Sequence, residues 1–141
     1  MIFRVHGEPA SQGSKRLVRA GARTIMLEQS KKVKPWRAAV AAAALEHGCA
    51  PFDGDVSVRV CLLFNRPESH FGKRGLLPSA PGRPGYIDVD KGARAILDAL
   101  AGIAYHNDRQ VAVLRIERAW SPDNGAGAVI EINPLSAPVN G

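Results

Sequence analysis

The segment "DVSVRVCLLFNR", from Asp55 to Arg66, constrains the fold more than any other part of the chain. Polar and apolar side chains alternate along it, and Val56, Val58 and Val60 share one face. Alternation with a period of two is typical of a β-strand that buries one side. We therefore predict a strand here.

Three further segments have strand character. "IFRVHG", near the N-terminus, is short and largely apolar with polar alternation. "QVAVLRIERAW" and "AGAVIEINP", near the C-terminus, are separated by "SPDNG", a cluster of residues that favour turns. We predict strands at Ile2–Gly7, Gln110–Trp120 and Ala126–Pro134, with a turn between the last two.

The segment "KGARAILDALAG" predicts an amphipathic helix from Lys91 to Gly102. Its apolar residues follow the spacing i, i+3, i+4, i+7 and would form a single stripe. Asp90 is suited to cap the start of this helix, and Gly102 is suited to end it.

A second helix is predicted upstream, starting at Ser30 as its N-cap and reaching Glu46 or His47. Pro35 is tolerated only in a first turn, so the regular helix is expected to begin nearer Lys34. The preceding stretch from Pro9 to Ser30 reads as a loop. Within it, a short β-ribbon between Leu17–Val18 and Thr24–Leu27 is one possibility.

Length and composition set the class of protein. A chain of 141 residues fits one domain, 1–141, and the order of strands and helices predicts an α+β fold. No apolar run is long enough to span a membrane, and the N-terminus lacks the apolar core of a signal peptide. Cys49 and Cys61 have no zinc-type spacing and are expected to be small buried hydrophobes in a reducing compartment. These features favour a cytoplasmic protein.

The charge of the chain is uneven. The net charge is +6, with 19 Lys and Arg against 13 Asp and Glu. Residues 1–87 hold fourteen of the basic and six of the acidic residues, whereas residues 88–141 hold five and seven. The basic part predicts a polyanionic partner, which composition alone does not identify as nucleic acid or membrane surface.

Three aspartates stand out in the acidic part. If "YIDVD" is extended, Asp88 and Asp90 face the same way at the mouth of the predicted helix. Asp108 follows that helix, where the chain can fold back beside them. Three carboxylates with few cations between them form a ligand set for a hard divalent ion, Mg²⁺ or Mn²⁺. Such an ion can activate a water for phosphodiester cleavage.

Simpler interpretations of the same residues remain open. Asp90 taken alone can be an N-cap, and "HND", which ends at Asp108, can be a turn. Arg94 and Asp98 continue the spacing of four residues that starts at Asp90, so they can form a solvated stripe of charges on the helix. His106 is a further candidate ligand or an exposed loop histidine.

The segment "DVDKGARAILDALAGIAYHNDRQV" resembles the signature of RusA-type Holliday junction resolvases. In that family an Asp-x-Asp segment leads into a helix containing Asp-Ala-Leu, followed by a Gly and a loop with Asp-Asp-x-Gln-Val. The resemblance implies a mixed sheet packed with two helices. It also implies a homodimeric endonuclease that cuts four-way DNA junctions with Mg²⁺. Its three catalytic, metal-binding aspartates match Asp88, Asp90 and Asp108.

Three positions depart from the bacterial family pattern. Lys91 stands where Asn is usual, and an Asp-x-Asp-Lys opening is more similar to phage and prophage relatives. Arg94 stands where an active-site lysine is usual and keeps a cation able to contact phosphate. Asn107 stands where the first of two aspartates is usual and loses a charge. We therefore take Arg94 as a fourth catalytic candidate.

The cations expected to contact the DNA backbone lie in the basic loops and beside the aspartates. Trp36 and Phe71 are candidates for stacking on exposed bases, with a core role favoured for Trp36. The main alternative function is a protein that binds branched DNA without cutting it, and an RNA-binding module is disfavoured because no aromatic-rich strand motif is present. The DNA-binding candidates are Lys15, Arg16, Arg19, Lys73, Arg74 and Lys91.

Overall fold

The computed structural model describes residues 1–12 and 20–136, with the backbone alone described for residues 20–30. Within these ranges the chain forms a four-stranded sheet, a two-stranded hairpin and two α-helices. In chain order the elements are β1 (Ile2–His6), α1 (Ala20–Glu46), β2 (Val56–Phe64), β3 (Phe71–Gly72), β4 (Gly75–Leu76), α2 (Val89–Leu100), β5 (Val111–Trp120) and β6 (Gly127–Pro134).

The large sheet is mixed and has the order β1-β6-β2-β5. Strand β6 is antiparallel to both β1 and β2, whereas β5 runs parallel to β2. Two parallel strands need a long connection that returns the chain to the end of the sheet where the first strand began. Helix α2 lies in the connection between β2 and β5. This confirms the predicted α+β fold with a mixed sheet and two helices.

The core lies between one face of the sheet and the two helices. Strand β2 contributes Val56, Val58, Val60 and Leu62, each at most 1% exposed, which confirms the alternation predicted for this strand. The opposite face of β2 is more open, and Arg59 is exposed there. The helices and strand β6 add further buried side chains: Trp36, Val40 and Ala44 from α1, Ile96 and Leu100 from α2, and Ile130 and Ile132 from β6.

The start of helix α1 was predicted wrongly. The helix begins at Ala20, so Thr24–Leu27 are helical and the proposed ribbon does not form; Leu17–Val18 lie outside the described residues. Residues such as Ala, Arg, Met and Leu in this segment favour helix, whereas the prediction relied on Ser30 as an N-cap and on Pro35 in a first turn. Pro35 lies well inside the helix, and the adjacent Trp36 is 2% exposed. Tertiary packing thus offsets the backbone hydrogen bond that proline cannot make.

The segment between β2 and α2 contains a short 3₁₀ turn at Glu68–His70 and the β3–β4 hairpin. Cys49 and Cys61 are partly exposed instead of fully buried, although burial is the main cause that raises the pKa of both thiols. None of the helices in the described part of the chain is long and apolar enough to cross a membrane.

Candidate active site

Asp88 and Asp90 lie at the start of helix α2. Asp88 is the N-cap residue, with φ −71° and ψ 138°, and Asp90 falls in the first helical turn. The segment is therefore not extended through Asp90, and the prediction that Asp90 caps the helix was wrong. The two side chains still emerge at the same helix end, and both are exposed. The positive end of the helix dipole favours carboxylates at this position.

The Asp88 carboxylate is not used to cap the helix. Its side chain makes no capping hydrogen bond, and its Oδ2 lies 3.6 Å from Nζ of Lys91, one turn further along. The Asp88 side chain is exposed and that of Lys91 is partly exposed, so water weakens the attraction between them. The Asp88 oxygens therefore remain accessible to a cation from solvent.

The start of α2 is held firmly against the sheet. Ile87 is 6% exposed, and its carbonyl oxygen accepts a hydrogen bond of 2.7 Å from Nη1 of Arg118 on β5. Gly92 lies so close to β2 that a Cβ atom there would be 2.8 Å from Cδ1 of Leu62. The absence of a side chain at Gly92 thus sets the distance of this helix end from the sheet, a role that sequence reasoning missed.

Arg94 lies one turn after Asp90 and is exposed. The alternative that it forms a charge stripe with Asp98 finds no support in the described residues, since no ion pair between the two is present within 4.0 Å. Arg94 is therefore an exposed cation on the helical turn that follows Asp90.

Asp108 begins a separate 3₁₀ turn, Asp108–Gln110, immediately before β5. Asn107 is its N-cap, and its Oδ1 accepts a hydrogen bond of 2.9 Å from the backbone N–H of Arg109. The turn interpretation of "HND" is therefore correct for the backbone. Asn107 is the N-cap of this turn, and a neutral amide oxygen can cap as well as the aspartate that the bacterial family pattern has at this position.

Gln110 fixes this turn in space. Its Oε1 accepts hydrogen bonds from the backbone N–H groups of His106, at 2.7 Å, and Asn107, at 3.0 Å. Its Nε2 donates to the backbone carbonyls of Phe52, at 2.6 Å, and Gly54, at 2.8 Å. One side chain thus ties the Asp108 turn to the segment before β2. Sequence reasoning missed this role, for which the spacing of a capping box from Asn107 to Gln110 was the available signal.

The chain does not fold back to bring Asp108 to the other two aspartates. The hydroxyl of Tyr105 donates a 2.6 Å hydrogen bond to the carbonyl of Leu97, which places the Asp108 turn at the C-terminal end of α2. Burial raises the pKa of Tyr105 strongly, and the nearby Asp108 and Asp98 carboxylates raise it further. Asp88 is at the opposite end of this twelve-residue helix, a length of about 18 Å.

No group of three or more His, Cys, Asp or Glu side chains suited to hold a metal ion occurs in residues 1–12 and 20–136 of one chain. His106, the further candidate ligand, is exposed, and its Nε2 lies 3.0 Å from Oδ1 of Asp53. The structure therefore brings Asp88, Asp90 and Arg94 to one place and leaves Asp108 at another.

The segment from residue 67 to 85 is anchored beside Asp88. The Trp120 ring packs edge-on against His70 and Tyr86, and the guanidinium of Arg66 lies 4.8 Å from its centre. The Trp120 Nε1–H also donates 2.9 Å to the carbonyl of Pro81. Because Trp120 ends β5 near Arg118, the segment lies at the same end of the sheet as Asp88 and Asp90.

The candidate DNA-binding residues are distributed as follows. Lys73 and Arg74 form the exposed turn between β3 and β4, in the anchored segment. Lys15, Arg16 and Arg19 lie outside the described residues. The chain that leads to them passes beside α2, since the backbone N–H of Gln12 donates 3.2 Å to the carbonyl of Lys91.

The two aromatic candidates differ in exposure. Trp36 is 2% exposed, as favoured for a core residue, whereas Phe71 is 50% exposed next to the Lys73–Arg74 turn. Of these two candidates, Phe71 is therefore the one whose side chain is exposed to solvent.

An α+β domain with exposed carboxylates and an arginine at a helix start, flanked by basic segments, has the features of a nuclease. The family model of endodeoxyribonuclease RusA matches residues 6–133 of the 141-residue chain. The chain therefore belongs to the RusA family of endodeoxyribonucleases, the Holliday junction resolvases. No curated protein matches it.

Proposed function

We propose that this protein resolves four-way DNA junctions by paired, Mg²⁺-dependent cleavage during DNA recombination or repair, acting in the cytoplasm as a homodimer with residues 1–141 as one unit. The observation that carries this proposal is the exposed pair Asp88 and Asp90 with Arg94 one helical turn away, in a chain of the RusA family. Mn²⁺ is an alternative metal because it prefers the same oxygen ligands.

The donor set at the start of α2 fits a hard divalent ion. Asp88 and Asp90 offer exposed carboxylate oxygens, the ligand type that Mg²⁺ prefers, and Mg²⁺ commonly uses one or two carboxylates with the rest of its shell from water and phosphate. When bound, the ion would lower the pKa of a water and offset the charge that develops on the phosphate. Asp108 is the third proposed ligand, and within one chain it lies at the other end of α2.

Arg94 is proposed to hold the scissile phosphate. Its guanidinium is exposed and lies on the helical turn that follows Asp90. A fixed cation there would stabilise the additional negative charge that forms as water attacks phosphorus. Guanidinium can bind two phosphate oxygens at once, which lysine does not do.

The basic groups around this helix end would hold the DNA arms. Lys73 and Arg74 are exposed in the β3–β4 turn, and Lys91 lies beside Asp88. We include Lys15, Arg16 and Arg19 because the segment carrying them departs from Gln12, next to Lys91. Contacts of this kind follow the phosphate backbone and weaken as salt rises.

Cleavage of a synthetic four-way junction tests the proposal. The wild-type protein should cut with Mg²⁺ and not with chelator, and Asp88→Asn or Asp90→Asn should abolish cleavage while junction binding persists. Asp55→Asn, a change of an equally exposed aspartate away from α2, is the matched control and should cut normally. Binding without cleavage by the wild-type protein in Mg²⁺ or Mn²⁺ would favour the alternative, a non-cleaving branched-DNA-binding protein.

The same assay under single-turnover conditions tests Arg94. Arg94→Ala should slow cleavage by about a hundredfold, as expected for loss of one charge-stabilising donor, and Arg94→Lys should retain much of the rate. Arg59→Ala removes an exposed arginine from the open face of the sheet and serves as control. An Arg94→Ala protein that cuts at the wild-type rate would remove Arg94 from the site.

A further inference from the structure

An exposed aromatic side chain, Tyr86, lies two residues before Asp88. It is 57% exposed, compared with 50% for Phe71 on the hairpin. Two residues of chain span at most about 7 Å, and one nucleotide step in a DNA strand is about 3.4 Å. The ring therefore stands within one or two nucleotide steps of a carboxylate of the candidate active site.

The ring of Tyr86 is exposed but held in place. Its centre lies 5.4 Å from that of Phe64 and 6.0 Å from that of Trp120, and it is nearly perpendicular to the latter at 83°. Aromatic pairs at such distances and angles attract each other. Trp120 is itself fixed, by the hydrogen bond to Pro81 and by the guanidinium of Arg66. An open ring on a fixed aromatic base is suited to receive a flat ligand.

The residue between the ring and the carboxylate is fixed as well. Ile87 is 6% exposed, and its carbonyl accepts the 2.7 Å hydrogen bond from Arg118. The backbone carbonyl of Arg118 accepts a hydrogen bond of 2.8 Å from Nη1 of Arg83. Because Ile87 is held on both its side chain and its backbone, the fold sets the distance from the Tyr86 ring to Asp88.

We propose that Tyr86 stacks on the nucleobase beside the phosphate that is cut, and that it thereby sets which base is preferred at the cleavage position. DNA is the substrate class of the family to which the chain belongs. The inference rests on the proposed function for the position of the cut phosphate beside Asp88. A base next to a branch point leaves the helical stack at lower cost than a base inside a duplex, so it is available to the ring.

The chemistry of the ring fits a base and not a phosphate. Phosphates are bound by cations, and Lys91 and Arg94 supply these on the first two turns of α2. A tyrosine ring offers a π-face, and stacking a base on it removes two largely apolar surfaces from water. Every base has a π-face, so we expect a modest base preference at the cleavage position and no strict recognition sequence.

Photochemical cross-linking tests the contact without cleavage. A four-way junction carrying 5-iododeoxyuridine at one nucleotide beside the branch point is bound to the protein in chelator and irradiated, and each such nucleotide is tried in turn. Irradiation joins this base mainly to an aromatic side chain that lies against it. We expect one position to give a cross-linked peptide containing Tyr86, identified by mass spectrometry. Absence of Tyr86 from every cross-linked peptide overturns the proposal.

Two substitutions separate stacking from a contact made by the hydroxyl. Tyr86→Phe keeps the ring, so it should keep the cross-link and the junction affinity. Tyr86→Leu keeps an apolar group against Phe64 and Trp120 but lacks the π-face, so the cross-link should be lost and the Kd for the junction should rise by about fivefold or more. Leu45→Ala shortens a similarly exposed apolar residue on α1 and should bind as wild type does.

Circular dichroism checks that each variant keeps its fold and its Tm. If Tyr86→Phe loses as much affinity as Tyr86→Leu, the hydroxyl and not the ring makes the contact, and the proposal is wrong. If Tyr86→Leu keeps both the cross-link yield and the affinity, Tyr86 only covers Trp120, and the proposal is also wrong.

Mapping of cut positions connects the contact to specificity. A junction whose branch point can migrate offers several phosphates for cleavage. The Tyr86→Leu protein should cut them evenly to within about twofold, whereas wild type and Tyr86→Phe should share one preferred position. An unchanged preference in Tyr86→Leu means that another residue selects the base. If the wild-type protein cuts no junction, the proposed function is wrong, and the cross-link still decides whether the ring meets a base.

Discussion

Replacing Gln110 with alanine should destabilise the protein far more than its position in a surface turn suggests. The side chain makes four hydrogen bonds to backbone groups, between 2.6 and 3.0 Å long. Each is partly accessible to water and is worth about 0.5–1 kcal/mol, so their loss should lower the free energy of unfolding by about 2–4 kcal/mol. For 141 residues the entropy of unfolding is about 0.3 kcal/mol/K, and Tm should fall by about 7–14 °C.

Thermal unfolding followed by circular dichroism measures this change. Asn107→Ala in the same turn removes the N-cap side chain, whose Oδ1 accepts from the N–H of Arg109, and should cost only about 1 kcal/mol. Gln110→Glu retains the accepting oxygen but faces the carbonyls of Phe52 and Gly54 with a carboxylate, so it should be nearly as harmful as alanine. A Gln110→Ala protein within about 2 °C of wild type in Tm would refute the reasoning, because solvent would then replace all four bonds without cost.

Two further changes test other parts of the fold. Gly92→Ala should lower the free energy of unfolding measured in urea. The added Cβ would clash with the fully buried Leu62 at a cost of about 1–3 kcal/mol, which exceeds the gain of at most about 1 kcal/mol in helix propensity. An unchanged or higher stability would contradict the close contact. The pKa of Tyr105 is higher in the folded protein than its ordinary value of 10.0, so the folded state holds the hydroxyl proton more tightly than the unfolded state does. This contribution to stability is complete below pH 10.0 and is lost as the pH rises above that value. Tyr105→Phe should therefore lose less stability than wild type between pH 8 and 10.5, and equal losses would show that burial of the hydroxyl is unimportant.

The regular elements of the sheet were predictable because each depends on a local pattern. The alternation in β2 and the apolar stripe of α2 arise from the geometry of strand and helix, so they are visible in a single sequence. Strands β5 and β6 begin at Val111 and Gly127, each one residue later than predicted. The glycine at position 102, with φ +85°, follows the end of α2 as expected.

The N-terminal half of α1 was not predictable in the same way. Local signals, a proline at position 35 and a serine suited to an N-cap at position 30, favoured a late start. The helix instead runs from Ala20 through Pro35, and it continues past the proline into a part that buries Trp36, Val40 and Ala44. The free energy of that burial does not appear in any local pattern.

The family, the α+β class and the proposed site residues could be predicted from the sequence, since these rest on residue types at short spacings. The positions of those residues relative to one another depend on the folded structure. It placed Asp88 and Asp108 at opposite ends of α2, gave Gln110 its role in holding the Asp108 turn, and set β5 at an edge of the sheet where no further described strand pairs with it. The physical reason is that a spacing in sequence sets the direction of a side chain on its own element, whereas distances between elements follow from how the helices pack on the sheet.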